Sequence, residues 1–365
     1  MNFTIIAGAR PNFIKIAPII HAIQQNNDRE ERDKIRFRLI HTGQHYDAKM
    51  SDTFFQELNI PEPSVNLGCG GGSQAEQTAA IMIAFERDLI LHPADLVVVV
   101  GDVTSTLACS IVAKKQGIKV AHVEAGIRSY DLTMPEEINR MVTDSITDYF
   151  FTTSTTANGN LLKAGVAENN IFFVGNVMID TLLANKQRFR QPPVWGEAGL
   201  QKQQYLVLTL HRPSNVDEGQ KLMQLIDTII ANTHGLPIIF PIHPRTKSIF
   251  HALGVLPENL HIIDPLGYLE FNYLVQHSKA VVTDSGGITE ETTVMGVPCL
   301  TLRNSTERPE TVAIGTNELV GTQPEAIVEA LGRLFAGNWK KGGIPELWDG
   351  KAADRIVDLL VRLHA

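Results

Sequence analysis

Cysteine is scarce in this chain of 365 residues, and the three present (Cys69, Cys109, Cys299) lie far apart. They offer neither the paired spacing of a zinc site nor the even number of a disulfide framework, which favours a reducing, cytoplasmic location. Long apolar runs are missing too: none approaches the roughly 20 residues that span a bilayer. The first apolar stretch, Phe3–Ala7, stops at Arg10-Pro11 and lacks the extended core of a secretion signal. Neither a targeting segment nor a membrane partner is expected. Basic residues are in deficit, 32 Lys+Arg against 40 Asp+Glu for a formal charge of −8. The cationic surface that displaces counterions from nucleic acid is therefore lacking, and no nucleic-acid partner is expected. The turn after the first strand carries no G-x-G-x-x-G and no Walker A lysine, which weighs against a nicotinamide cofactor and against ATP hydrolysis.

What is present is an ordinary globular mix, 44% hydrophobic and 20% charged, in a length that suggests two domains. Short apolar runs alternate with helix-length segments throughout. The first half offers strands at Phe3–Ala7, Phe37–His41, Leu96–Val100, Lys119–Val123, Tyr149–Thr152 and Ile171–Val174. The second offers Tyr205–Leu210, Ile238–Pro241, Leu260–Ile263, Ala280–Thr283 and Cys299–Leu302. Thr106–Gln116, Asn139–Thr147 and Lys221–Thr233 read as helices between them. Runs such as Leu96–Val100 are apolar on both faces, as strands covered by helices on both sides must be. The fold class is α/β: two Rossmann-like domains with parallel sheets, residues 1–174 and 175–350, with Arg190–Gln204 as a surface connection. Two sheets of five or six strands would turn the carboxyl ends of their strands toward a central cleft, where such sheets bind ligands.

Polar residues follow each strand closely. After Phe3–Ala7 come Arg10, Pro11 and Lys15, with Pro11 suited to the first helical position. Arg10 and Lys15 either meet an anion at that helix start or stand as two solvated cations, and spacing alone does not choose. After Leu96–Val100, Asp102 either caps the next helix or enters the cleft. Glu124 ends the buried run Lys119–Val123, and glutamate is a poor cap, so the functional reading leads there. Glu136 and Arg140 lie four apart at a helix start, a spacing that an ion pair would explain equally well.

In the second half, Tyr205–Leu210 runs into His211-Arg212, and Ile238–Pro241 into Ile242-His243-Pro244-Arg245. A lone histidine is more often structural, but the strand end moves the balance toward a site. The segment Asp284-Ser285-Gly286-Gly287 ends a strand and opens a helix, so its N–H groups and the helix dipole suit a phosphate. Gly286 and Gly287 leave room for a diphosphate, and Glu290 or Glu291 lies one turn in, within reach of a ribose diol. Arg303 and Arg308 add cationic charge.

Taken in order, these residues resemble the non-hydrolysing UDP-N-acetylglucosamine 2-epimerase family. The match runs through Gly8-Ala9-Arg10-Pro11, Gly101-Asp102, His122–Arg128, Pro135–Arg140, Gly175-Asn176, His211-Arg212, Asp284–Gly287 and Glu307–Glu310. The resemblance implies a glycosyltransferase-B type fold, with helix 351–365 packing back on the first domain. It implies interconversion of UDP-GlcNAc and UDP-ManNAc by elimination and re-addition of UDP through a 2-acetamidoglucal, with no cofactor and no metal. It implies Asp102, Glu124, Glu136 and His211 as catalytic groups, supported by Arg10, Lys15 and Arg140. UDP would be held by Arg10, Ser285, Gly286, Gly287 and Arg308, with Phe271 near uracil, Glu291 on the ribose and His243 also in the substrate site. It also implies a homodimer. Where familiar members read Gly-Thr-Arg-Pro-Glu and His-Arg-x-Glu-Asn, this chain has Asn12 and Ser214 in place of the glutamates. Gln44-His45, implicated in substrate activation of some bacterial members, are present, while the accompanying Arg-Gln pair is replaced within Gly70–Gln74. Sibling enzymes acting on modified hexosamines, and a glycosyltransferase of the same fold, remain the alternatives.

Overall fold

Leu96–Val100 is buried along its whole length, as a strand sandwiched between helix layers must be. It is one of thirteen strands in a computed structural model that describes residues 1–29, 33–44, 55–216, 219–242 and 257–364. The chain divides into two units, Met1–Ala184 with Glu346–Ala365, and Asn185–Pro345.

The first unit carries β1 (Asn2–Ala7), β2 (Arg36–His41), β3 (Val65–Asn66), β4 (Leu96–Val100), β5 (Lys119–Val123), β6 (Tyr149–Thr152) and β7 (Ile171–Phe173). They form one sheet in the order β3-β2-β1-β4-β5-β6-β7, with every neighbour parallel. Its longer helices are α1 (Arg10–Asp28), α2 (Gln74–Leu91), α3 (Thr104–Lys115), α4 (Pro135–Ile146), α5 (Thr155–Lys163) and α6 (Val177–Asn185), the last ending at the unit boundary. Seven strands replace the five or six expected, because the two-residue edge strand β3 is too short to show a sequence period.

The second unit carries β8 (Leu206–Thr209), β9 (Ile238–Pro241), β10 (Leu260–Ile263), β11 (Ala280–Thr283), β12 (Cys299–Thr301) and β13 (Asn317–Leu319). The order is β10-β9-β8-β11-β12-β13, again all parallel. Its longer helices are α7 (Gly219–Ala231), α8 (Tyr268–His277), α9 (Gly286–Met295) and α10 (Pro324–Phe335). Leu206 and Leu208 pack on one face with Leu222, Ile226 and Ile327, while Val207 faces the other way toward Leu274 and Val275. Val194 and Leu200 are buried in that second layer, so Arg190–Gln204 is not a bare surface connection.

Both sheets therefore have the doubly wound order, with the direction of winding reversing between β1 and β4 and between β8 and β11. Ligands bind such sheets outside the carboxyl ends of the strands at that switch. The last helix, α11 (Ala352–His364), packs against α1 and buries Ile356, Val357 and Leu360. Asp180 accepts its first backbone N–H groups, Ala352 at 3.1 Å and Ala353 at 2.7 Å, in the manner of an N-cap. No helix among the described residues is long and apolar enough to cross a membrane.

Candidate active site

At the switch point of the first sheet the chain approaches itself very closely. A Cβ on Gly8 would lie 2.0 Å from the Ser105 Oγ, so only glycine fits where β1 leaves the sheet. Asn12 then joins β1 to β4: its Oδ1 accepts from Gly8 N (3.0 Å) and Ala9 N (2.9 Å), and its Nδ2 donates to the Val100 carbonyl (3.0 Å). A glutamate in this position has no donor for the last bond. Arg10 opens α1 at this point, and Lys15 projects from the same helix.

Lys15 forms an ion pair with Glu124 at 2.6 Å, both side chains almost wholly buried. Glu124 adopts a left-handed backbone, φ 70°, which for a side chain with a Cβ costs about 1–2 kcal/mol. Gly101, φ 69°, turns over this pair. A Cβ there would lie 3.1 Å from Lys15 Nζ and 3.8 Å from Glu124 Oε2. The next residue, Asp102, does not cap the following helix: the N-cap of α3 is Val103, with no side-chain cap bond. Its carboxylate instead meets the Arg140 guanidinium, and its carbonyl accepts from Asn139 Nδ2 at 2.8 Å. Lys15, Asp102, Glu124 and Arg140 are thus brought together at the ends of β4 and β5.

The ion pair that spacing allows Arg140 to make with Glu136 is made with Glu137 instead. Arg140 bonds Glu137 at 2.7 Å, and Glu136 is exposed on α4. Glu137, Arg140 and Asp144 share the buried, inward face of α4, whereas Glu136 lies on its exposed edge. Burial pushes the Glu137 carboxyl up, but the Ser129 N–H, Arg140 and the Tyr130 N–H outweigh it and hold it below the usual carboxylate range.

Beneath these groups, His122 is completely buried, with Nδ1 2.7 Å from Asp144 and Nε2 2.8 Å from the Gly101 carbonyl. Asp144 also meets Arg128 at 2.6 Å and accepts from Gly126 N at 3.1 Å. Burial raises the Asp144 carboxyl, and His122 and Arg128 more than offset that. Asn12, His122, Glu137 and Asp144 are not among the site residues expected from sequence.

The second sheet builds its own cluster at the β8/β11 switch. Asp284, fully buried, takes backbone N–H bonds from His211 (3.1 Å) and Arg212 (3.0 Å) and an amide bond from Asn215 (3.0 Å). The His211 ring Nδ1 lies 2.7 Å from the same carboxylate. Burial raises the Asp284 carboxyl, but His211, Arg212 and Asn215 bring it below its ordinary range. Ser285 is the N-cap of α9 without a side-chain cap bond, so Gly286 and Gly287 stand in the first turn, where N–H groups lack helical partners. Glu307 comes within 3.1 Å of where a Gly286 Cβ would be, and pairs with Arg303 at 2.6 Å.

Of the two acidic residues in α9, Glu290 is committed to Arg308 in a buried ion pair. Glu291 is buried against Tyr268 and Asn272 of α8, the helix that also carries Phe271. Burial pushes its carboxyl up, the Tyr268 and Asn272 contacts pull it partly back, and it sits at about 7. His243 lies outside the described residues, as does His45.

Each unit thus has a cluster at its own doubly wound switch point, and the two clusters offer different chemistry. The first concentrates carboxylates held by cations; the second offers a helix N-terminus, a carboxylate-bound histidine and buried Arg–Glu pairs. The profile of the UDP-N-acetylglucosamine 2-epimerase family matches residues 27–361. The UDP-N-acetylglucosamine 2-epimerase of Methanocaldococcus jannaschii is 42% identical over 372 residues, covering 99% of each chain. The UDP-2,3-diacetamido-2,3-dideoxy-D-glucuronate 2-epimerase of Pseudomonas aeruginosa is 37% identical over 371 residues, covering 100% of each. A crystal structure of the M. jannaschii enzyme with UDP-GlcNAc and UDP superposes with a TM-score of 0.87, covering 99% of this chain and 100% of that one.

Proposed function

The chain belongs to the UDP-N-acetylglucosamine 2-epimerase family, and on that premise we propose that it inverts carbon 2 of UDP-N-acetylglucosamine to give UDP-N-acetylmannosamine. It is an isomerase with two Rossmann-like α/β domains. The observation that carries the proposal is the buried pair Lys15–Glu124 beside the half-buried pair Arg140–Asp102, two carboxylates fixed by cations at one switch point.

The C2–H of the sugar is weakly acidic, so a positioned base must take it and an acid must serve the opposite face. The C2 proton passes to a carboxylate as the C1–O bond breaks and its electron pair leaves on UDP, forming a C1=C2 double bond in 2-acetamidoglucal. A proton then enters the other face of C2 while a diphosphate oxygen of UDP rejoins C1. Nothing is gained or lost overall, so no redox cofactor enters the balance. Asp102, Glu124, Glu136 and His211 are assigned to the proton transfers, with Arg10, Lys15 and Arg140 orienting them. Charge developing on the departing diphosphate falls to the Ser285–Gly287 turn and Arg308, where N–H dipoles and a guanidinium suit an anion. Glu291 is assigned to the ribose and Phe271 to the uracil.

The test is to incubate the purified chain with UDP-GlcNAc alone and separate the products by anion exchange. UDP-ManNAc supports the reading. Free UDP with N-acetylmannosamine would place the chain among hydrolysing enzymes instead. The full-length likeness to the P. aeruginosa enzyme supports a second reading, a diacetamido uronic acid as the hexosamine. Turnover of that UDP-sugar but not of UDP-GlcNAc would select it.

We extend the proposal to a homodimer. Because Glu137, Arg140 and Asp144 take the inward face of α4, Ile138 and Met141 are left exposed, as is Ile83 on α2. Exposed apolar side chains of this size on adjoining helices favour association.

A further inference from the structure

The His211 ring has little packing to hold it: 63% of its side-chain surface is exposed, although its Nδ1 lies 2.7 Å from Asp284. Asp284 is the opposite case, with no exposed surface. Its carboxylate is fixed by His211 N, Arg212 N and Asn215 Nδ2, and its own N–H bonds the Thr209 carbonyl at 3.3 Å. A carboxylate anchored in this way is a rigid acceptor on the end of β11, facing the end of β8. Those three N–H bonds would suffice to staple the 211–215 turn. The ring contact is additional, and it is the one that a structural role does not require.

Resting on the epimerase reading above, we propose that Asp284 is a positioning residue for His211. It accepts the Nδ1 proton, sets the ring's orientation and tautomer, and presents Nε2 as the nitrogen that meets the substrate. An ionised carboxylate only accepts, so the nitrogen facing it carries a proton. Neutral imidazole has a single N–H, so Nε2 keeps its lone pair and can take a proton or return one. The same division of labour holds wherever a carboxylate orients a working histidine: it fixes the tautomer and the direction of the ring without itself gaining the proton. Asp284 is therefore not a substrate ligand. Its effect should fall on turnover and leave binding nearly untouched.

Two measurements test this. The first is long-range 15N–1H NMR of the native chain at neutral pH, with His211 assigned by its loss in His211→Asn. The Nδ1–H tautomer is expected; an Nε2–H signal for neutral His211 would overturn the inference. The second is the kinetics of Asp284→Asn, which keeps an acceptor oxygen for the backbone N–H groups but removes the charge. Here kcat should fall about 10²–10⁴-fold, with KM for UDP-GlcNAc within about threefold and the Nδ1–H signal lost. A kcat within about twofold of the native value would overturn the inference even with the tautomer changed. If Asp284→Asn does not fold, the spectrum of the native chain decides. If the native chain does not epimerise UDP-GlcNAc, the functional reading fails, and the tautomer still settles the Asp284–His211 relation separately.

Discussion

Lys15 holds Glu124 at 2.6 Å across 109 residues of sequence, and Glu124 keeps that contact in a left-handed backbone conformation. Strain of this kind persists only where surrounding contacts over-determine it, and it gathers at functional sites. Glu124→Gln should therefore lower kcat about 10²–10⁴-fold, the usual contribution of a positioned proton-transfer group. UDP affinity, read by isothermal titration calorimetry, should change by less than about threefold. A large loss of UDP affinity would mean that Glu124 belongs to nucleotide binding instead.

Asn12 is the second point where sequence and chemistry diverge informatively. Its amide serves as acceptor for two N–H groups and donor to the Val100 carbonyl, all in a buried position. Asn12→Asp keeps the acceptor and loses the donor, setting a carboxylate oxygen against a carbonyl. Stability should fall by about 1–3 kcal/mol, read as a lower urea midpoint at unchanged m-value. An unchanged midpoint would show that the amide donor contributes nothing.

Glu291 ties stability to pH. Its folded carboxyl sits at about 7, above the ordinary value of 4.5, so the folded state binds its proton more tightly than the unfolded chain does. That contribution is fully present below the ordinary carboxyl range and is lost as pH rises through about 7, at most ~3 kcal/mol. Urea midpoints measured from pH 5 to 8.5 should fall with rising pH, and Glu291→Gln should flatten that fall. A parallel slope in the variant would assign the dependence to another group.

Ile138 and Met141 test the homodimer. Replacing both by aspartate should leave secondary structure intact and convert a species of twice the chain's 40.2 kDa to one of 40.2 kDa in sedimentation velocity. A native chain that already sediments at the smaller mass would remove the basis of that proposal.

Much of the fold is written in the sequence because buried parallel strands leave an unmistakable mark. Leu96–Val100, Lys119–Val123, Tyr149–Thr152, Ile238–Pro241, Leu260–Ile263 and Ala280–Thr283 occupy the residues expected from their apolar runs. β3 and β13 escaped because two- and three-residue edge strands carry no period. Helix bounds are less legible than strands: α3 begins at Thr104, two residues ahead of the expected Thr106, whereas the proline and paired acidic residues at Pro135–Glu137 mark the start of α4.

In the site, strand-end residues such as Asp102 and Glu124 could be picked out one at a time, but not their partners. Glu136 and Glu137 are equally placed for Arg140 by spacing, and only the inward face of α4 chooses between them. A signal did exist: Ile138, Met141 and Val142 form an apolar set opposite Glu137, Arg140 and Asp144, so one of the two faces had to be exceptional. His122–Asp144 and His211–Asp284 join residues 22 and 73 apart, and no local pattern reports such pairs.

The central claim is that carbon 2 is inverted by loss of its proton from one face and entry of a solvent-derived proton on the other. Proton NMR of the chain with UDP-GlcNAc in D2O, with nothing else added, measures this directly. The account predicts UDP-ManNAc carrying deuterium at carbon 2, with the label also entering the recovered UDP-GlcNAc as the reaction reverses. UDP-ManNAc that retains its original carbon-2 proton, or an unchanged spectrum while UDP still binds, would contradict it.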